Sequence, residues 1–182
     1  MTEGPCIILV GVSGSGKTTV GHRLAQTFHL PLIDVDEAVS QALGTTIGEL
    51  LITADQRFAA YRQQVAADAL ALGKGVIVLG ASQVHDPHIV AALTDATMRG
   101  AQVVELVAST ADVAARQGLN VARPVSLGAP RAMLTQMIAA HRQACAAFVT
   151  HSIETHDFDP IELVDMVARA CKIAKVSFPP NK

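Results

Sequence analysis

Two kinds of segment alternate along the chain, distinguished by the spacing of their hydrophobic residues. Short continuous apolar runs predict strands buried on both faces; these are 6–10, 30–33, 76–79, 102–107 and 149–153. Longer segments between them carry apolar residues every three or four positions, which predicts helices. They are 17–28, 37–43, a short helix capped by Thr46, 55–72, 87–98, one from Ser109 or Thr110 to 117, 131–148 and 160–175. This order indicates an α/β fold with a doubly wound parallel sheet of about five strands, flanked by helices.

The length of the chain and the positions of its glycines and prolines predict one domain with a mobile loop. A length of 182 residues suits a single domain, which we place at 1–176, with a flexible tail at 177–182. The segment 118–130 contains two glycines, two prolines and one arginine, a composition that predicts a mobile lid.

The first strand runs directly into a glycine-rich loop, GVSGSGKT at residues 11–18, which matches G-x-x-x-x-G-K-[ST]. Glycines let the backbone amides approach an anion without interference from a Cβ atom, and the positive end of the following helix points to the same place. Lys17 is predicted to reach the β- and γ-phosphates of a nucleotide, and the Thr18 hydroxyl to hold Mg²⁺. The predicted nucleotide-binding residues of the loop are Gly14, Ser15, Gly16, Lys17, Thr18 and Thr19. The alternative, a plain glycine turn, is much rarer in this context.

Asp34 and Asp36 follow the second strand, where ligands of doubly wound sheets bind. A kinase needs one carboxylate near its Mg²⁺ and another for the acceptor hydroxyl. The alternative is structural, because Asp36 is also well placed to cap a helix that begins near Glu37. Both interpretations stay open for the pair alone, and the phosphate loop upstream favours a site.

Four arginines are candidates for charge stabilisation. Arg123, in the predicted lid, can swing over a transferring phosphate, or it is a solvated loop residue. Arg116 either stacks on a base or serves as a favourable cation at a helix C-terminus. Arg142 pairs either with a substrate anion or with a surface carboxylate. Arg62 shares a helix face with Phe58 and can point into the same cleft.

Composition narrows the class of protein. Half of the residues are hydrophobic, with no tryptophan and one tyrosine, which suits a sheet covered by helices. The net charge is −2 and no block of basic residues occurs, so a nucleic-acid surface has little support. Three widely spaced cysteines predict reduced thiols, with neither a disulfide framework nor zinc spacing. No signal peptide or membrane-spanning run is evident, and we expect a cytoplasmic protein without a membrane partner.

With these residues in place, the chain resembles the shikimate kinase family over nearly its whole length. The segments that carry the resemblance are the phosphate loop, 32–36, 76–80, 116–124 and 141–142. The resemblance implies a P-loop kinase fold and a monomeric enzyme of aromatic amino acid biosynthesis. Such an enzyme moves the γ-phosphoryl group of ATP, with Mg²⁺, to a hydroxyl of a small carboxylated polyol, shikimate first.

The same resemblance implies roles for individual residues. Lys17 and Thr18 would bind ATP and Mg²⁺, and Asp34 would support the metal. Asp36 would bind substrate hydroxyls and serve as the base. Arg116 would contact adenine.

On the acceptor side, the resemblance implies that Arg123 touches phosphate and acid, that Arg142 binds a carboxylate, and that the strand end at 80–82 lines the pocket. Here the chain departs from the family in two places. The carboxylate-clamping arginine of the family's Phe-Arg-x-x-Glu helix is replaced by Ala59, and Arg62 stands at the glutamate position. The family's three glycines read Gly80-Ala81-Ser82, so two side chains narrow this wall. Both changes predict an intact donor site and an altered acceptor pocket, with Gly80, Ala81 and Arg62 as acceptor-side residues.

Two other functions fit parts of the sequence. A gluconate-type sugar-acid kinase has a very similar phosphate loop, but its Asp-Gly-Asp and following His-Pro are absent after Asp36. A nucleotide-binding regulatory protein that has lost catalysis would explain Ala59, whereas Asp36 and Arg123 argue against it.

Overall fold

The computed structural model describes residues 5–53, 56–116 and 128–173. Within these ranges five strands form one parallel sheet in the order β2-β3-β1-β4-β5. They are β1 (Cys6–Val10), β2 (Leu32–Asp34), β3 (Gly75–Val78), β4 (Gln102–Val107) and β5 (His151–Glu154). The predicted α/β fold with a five-stranded parallel sheet is confirmed.

Helices cover both faces of the sheet. The described helices are α1 (Lys17–Phe28), α2 (Val35–Leu43), α3 (Ile47–Thr53), α4 (Gln56–Leu72), α5 (Pro87–Met98), α6 (Thr110–Arg116), α7 (Gly128–Cys145) and α8 (Pro160–Ala170), with a 3-10 turn at Gln83–His85. One hydrophobic cluster joins the sheet to α1 and α8, and another joins its opposite face to α2, α4, α5 and α7. The sheet is therefore doubly wound, as predicted.

The central position belongs to β1, which pairs with β3 on one side and β4 on the other. All five of its residues are buried. Ile7 and Leu9 pack towards α1 and α8, whereas Ile8 and Val10 pack into the opposite cluster. A strand covered on both faces needs apolar side chains at every position, which explains the continuous run in the sequence.

Several predicted bounds need correction. Helix α2 begins at Val35 rather than near Glu37, because the Asp34 carboxylate caps it and accepts hydrogen bonds from the Asp36 and Glu37 amides at 3.1 and 3.2 Å. The cap is therefore Asp34, not Asp36. Strand β5 begins at His151 instead of 149, and α7 ends at Cys145 instead of 148. The end of the predicted lid is wrong, because α7 begins at Gly128 instead of 131. The rest of the predicted lid, 118–127, and the whole predicted tail lie outside the described residues.

Candidate active site

The turn between β1 and α1 is shaped by glycines that no other residue can replace without strain. Gly11 has φ 145°, and a Cβ atom there would lie 2.5 Å from the Leu106 carbonyl oxygen. Gly16, the N-cap of α1, has φ 93°. Both are left-handed values that L-residues rarely adopt. The sequence therefore folds into a tight loop that ends on a helix N-terminus, the arrangement that binds phosphate.

Lys17 is folded back onto this loop. Its side chain is 8% exposed, and Nζ donates to the carbonyl oxygens of Gly11 and Val12 at 2.9 and 3.0 Å. Burial lowers the pKa of Lys17 to about 8, against the opposing charges of Asp36 and Asp34. The ammonium group is thus charged at neutral pH but poorly solvated, and an incoming phosphate would add an anionic partner to the two neutral carbonyl groups.

Thr18 and Asp34 form a pair of oxygen donors beside the loop. The Thr18 hydroxyl donates to Asp34 Oδ2 at 2.8 Å. Burial raises the pKa of Asp34, while the hydrogen bond from Thr18 opposes that rise. A hydroxyl and a carboxylate fit Mg²⁺, which prefers hard oxygen ligands and retains several waters. Asp34 is thus both a helix cap and a site residue, because one of its oxygens caps α2 and the other faces the loop.

Asp36 is held by an arginine from α4. Arg62 Nε donates to Asp36 Oδ1 at 2.7 Å, and Arg62 Nη1 donates to Ser82 Oγ at 2.7 Å. The Arg62 side chain is 10% exposed and that of Asp36 is 32% exposed. Both lie across Gly80, where an added Cβ atom would be 2.6 Å from Asp36 Oδ2. This junction therefore requires glycine, and the carboxylate is oriented by a buried cation.

Gln83 completes the support of this junction. The side chain is 4% exposed, its Oε1 accepts from the Gly80 amide at 2.8 Å, and its Nε2 donates to the Arg62 carbonyl at 3.4 Å. Sequence reasoning missed this residue, because a lone glutamine in a turn carries no signal until the turn is folded against α4.

A central cleft of about 270 Å³ joins the phosphate loop to the aspartates. The described residues that line it are Ser13, Gly14, Gly16, Lys17, Thr18, Thr19, Asp34, Asp36, Val78, Leu79, Gly80 and Ala81. Of the predicted site residues, it brings those of the phosphate loop except Ser15 into one space with Asp34, Asp36, Gly80 and Ala81. Arg62 is not among the lining residues, but it donates to Asp36, which is.

A side cleft of about 400 Å³ lies on the other side of the loop. Arg116 and Phe158 line it together with Gly14, and Arg116 Nη1 donates to the Gly14 carbonyl at 2.6 Å. A cation and an aromatic ring that line the same cleft suit a flat base. The contribution of Phe158, Pro160 and Leu163 was missed, because these residues follow β5, far along the chain from the loop.

Two of the predicted arginines, Arg142 and Arg123, are not among the described residues that line these two clefts. Arg142 is exposed on α7, and its charge opposes the rise that burial causes in the pKa of Glu105. Arg123 lies outside the described residues. Their roles stay predictions.

A parallel sheet with a phosphate loop after its central strand and an aspartate at the end of β2 defines a P-loop kinase, a transferase with an alcohol group as acceptor. A family model described as shikimate kinase matches residues 13–172. The chain therefore belongs to the shikimate kinase family, whose members use ATP with Mg²⁺.

Individual relatives agree with this assignment. The chain is 32% identical over 170 residues to a shikimate kinase from Thermobifida fusca, covering 93% of this chain and 96% of the relative. It is 37% identical over 139 residues to a shikimate kinase from Mycobacterium tuberculosis, covering 76% of each. Among solved structures, a shikimate kinase from Acinetobacter baumannii in complex with shikimate superimposes with a TM-score of 0.73 at 21% identity, covering 96% of both chains.

Proposed function

We propose that this protein transfers the γ-phosphoryl group of ATP to a hydroxyl of shikimate. The observation that carries the proposal is the central cleft, in which Asp36 faces the same space as Lys17 and the loop. A carboxylate there is placed to orient an acceptor hydroxyl toward the end of a triphosphate.

Each side of the cleft has its own task in this mechanism. On the donor side, the loop amides and Lys17 bind the phosphates and neutralise charge that grows on the oxygens. Thr18 and Asp34 are the residues that would hold Mg²⁺, which supplies charge neutralisation when bound. On the acceptor side, Asp36 accepts the hydroxyl hydrogen, and Arg123 would close over the transferring group.

The acceptor acid meets a wall that differs from the family pattern. Ala59 is exposed on α4 and offers no charge. We infer that Arg62 is the acceptor-side cation in its place, since its guanidinium lies against the cleft-lining Gly80. Ala81 narrows the same wall, and Arg142 on α7 is proposed as a second carboxylate partner. These positions make the acceptor side the part of the site where specificity is decided.

We also propose a monomer that works in the cytoplasm. The three cysteines, Cys6, Cys145 and Cys171, are free thiols, as expected in a reducing compartment. In the described part of the chain, the helices are too short or too polar to span a bilayer. Size-exclusion chromatography with light scattering tests the monomer directly.

A coupled assay of ATP turnover tests the function. Purified protein is offered shikimate, quinate and gluconate separately, with Lys17→Met as the variant that should lose turnover on all three. Turnover that is fastest with shikimate supports the proposal. Preference for gluconate would favour the sugar-acid kinase, and ATP binding without turnover of any acid would favour a regulatory nucleotide-binding protein.

A further inference from the structure

Three buried side chains with metal-binding atoms meet on the α7 side of the sheet, and none of them belongs to the Thr18–Asp34 pair. They are Glu105 from β4 and, from α7, His141 and Cys145. Their exposures are 5%, 3% and 0%. One ligand atom of each lies within 4.8 Å of the other two. Because His141 and Cys145 are four residues apart, they share one helix face, and that face is turned to Glu105.

Packing alone does not account for this cluster. His141 Nε2 is fully buried and has no hydrogen-bond partner among the described residues. An unpaired buried polar atom costs about 1–3 kcal/mol and is normally explained by an unseen water or ion. Among the described residues, the Glu105 carboxylate accepts one hydrogen bond, from the hydroxyl of Ser152 to Oε2 at 3.3 Å. A carboxylate, an imidazole and a thiol thus lie together in the interior, and some of their hydrogen-bonding atoms have no partner among the described residues.

We propose that Glu105, His141 and Cys145 form a binding site for a divalent cation of borderline softness, with Zn²⁺ as the best match. Thiolate sulfur, imidazole nitrogen and carboxylate oxygen are the donors that zinc binds in proteins. A thiolate and a carboxylate balance the two positive charges, so the occupied site is neutral inside the protein. Tetrahedral zinc brings its ligand atoms to within roughly 3.3–3.7 Å of each other. Side-chain rotations that move these atoms by about 1 Å would therefore close the site. A water completes the four ligands.

The position of the site suggests what it stabilises. Glu105 pairs in register with Val10, the last residue before the phosphate loop. Its two partners lie on α7, which begins at Gly128, near the end of the predicted lid 118–130. A bound cation therefore ties α7 to the central strands directly beside the loop. Its role is structural, and it does not replace the Mg²⁺ of the donor site.

Cobalt substitution of the full-length protein tests the site. Metal-free protein is titrated with Co²⁺, and the absorption is measured in the near ultraviolet, where thiolate-to-cobalt charge transfer appears. We expect one equivalent of Co²⁺ to give this band and Zn²⁺ to displace it. Cys145→Ser should abolish the band, whereas the matched control Cys171→Ser, at a half-buried thiol, should keep it. Thr18→Ala should keep it as well, because Thr18 is not one of the three proposed ligands.

Zinc affinity and thermal stability give independent readouts. In competition with a chromophoric chelator, His141→Asn and Glu105→Gln should each weaken Zn²⁺ binding at least tenfold, and Zn²⁺ should raise the Tm of the unmodified chain relative to EDTA. The Glu105→Gln variant keeps shape and serves if Cys145→Ser does not fold.

Three results would overturn the proposal. They are the absence of stoichiometric metal binding by the unmodified chain, a cobalt band that survives Cys145→Ser, and a crystal structure of zinc-treated protein with only a water beside His141 Nε2.

Discussion

At the scale of single residues, the acceptor side depends on one arginine that serves another side chain. Arg62 is buried, and its two assigned donors reach Asp36 and Ser82 at 2.7 Å each. A charge-assisted hydrogen bond of this kind is stronger than a neutral one and fixes direction. Removing the guanidinium therefore affects both the acid-binding wall and the aim of the Asp36 carboxylate.

Arg62→Ala should raise the KM for the acid acceptor about tenfold or more and lower kcat, while the KM for ATP changes little. The reason is that Asp36 loses its partner, whereas Lys17 keeps its hydrogen bonds to the carbonyl oxygens of the loop. Steady-state kinetics with each substrate varied in turn measure the difference. Arg169→Ala, at an exposed arginine near the end of α8, is the control. Equal changes in both constants would show that Arg62 has no special relation to the acceptor.

Lys17 makes nucleotide binding depend on pH. Its pKa is about 8 in the nucleotide-free protein, and a bound phosphate raises it because the charged form gains a partner. Binding of ADP without metal should therefore take up protons near pH 9, approaching one per nucleotide, and affinity should fall as pH rises through about 8. Calorimetry in buffers of different ionisation enthalpy counts these protons. Lys17→Arg, charged throughout this range, should bind without that uptake; an unchanged count would refute the assignment.

At the scale of elements, the contact between α1 and the sheet sets the position of the catalytic groups. Gly21 faces the sheet, and a Cβ atom there would lie 2.5 Å from Val78 Cγ2. The helix is thus pressed against β3 as closely as its backbone allows. Since α1 begins at Lys17, a shift of the helix moves the phosphate-binding end with it.

Gly21→Ala should destabilise the fold by about 1–3 kcal/mol, the usual cost of overpacking, and weaken nucleotide binding as α1 is displaced. Denaturant unfolding and ADP titration measure the two effects. In Gly48→Ala, on α3, the new Cβ would only approach Thr46 Oγ1 at 3.9 Å, so that variant should be neutral or slightly stabilising. Similar losses in the two variants would mean that helix propensity, not the contact with Val78, decides the outcome.

Elements with local signals were predictable, and those that depend on distant partners were not. The loop and α1 follow from a contiguous motif, and α5 has the predicted bounds because Pro87 opens it and the Asp86 carboxylate caps it. The start of α2 was wrong because two aspartates compete for one cap, and only the fold shows that Asp34 wins. The partner of Asp36 and the wall at Phe158 come from α4 and from the segment after β5. No short-range pattern connects them to the loop.

At the scale of the whole molecule, we expect the central strands of the sheet to resist local opening most and the edge strands least. Strand β1 has neighbours on both sides, and its five residues are buried. Strand β2 is an edge of three residues, two of them only partly buried. Local opening is easiest where few buried contacts must be broken.

Amide hydrogen exchange should therefore proceed at different rates in the central and edge strands of the sheet. Amides of β1 and β4 should exchange slowest, and those of β2 about 10–100-fold faster, which corresponds to roughly 1–3 kcal/mol of easier opening. Adding ADP should slow exchange at residues 11–18 without altering α5. Mass spectrometry of peptides covering each strand provides the measurement. If β2 proved as protected as β1, the edge would have to be covered in solution by something beyond the described residues.

The central place of β1 also bears on how the protein is made. The ribosome produces Cys6–Val10 well before Gly75–Val78 and Gln102–Val107, the two strands that flank it. Until both have emerged, the strand has no sheet partners for its backbone and its five apolar side chains have no cover. A nascent chain that stops short of β4 should thus be unable to hold a nucleotide, and its first strand is the segment that chaperones would most readily engage.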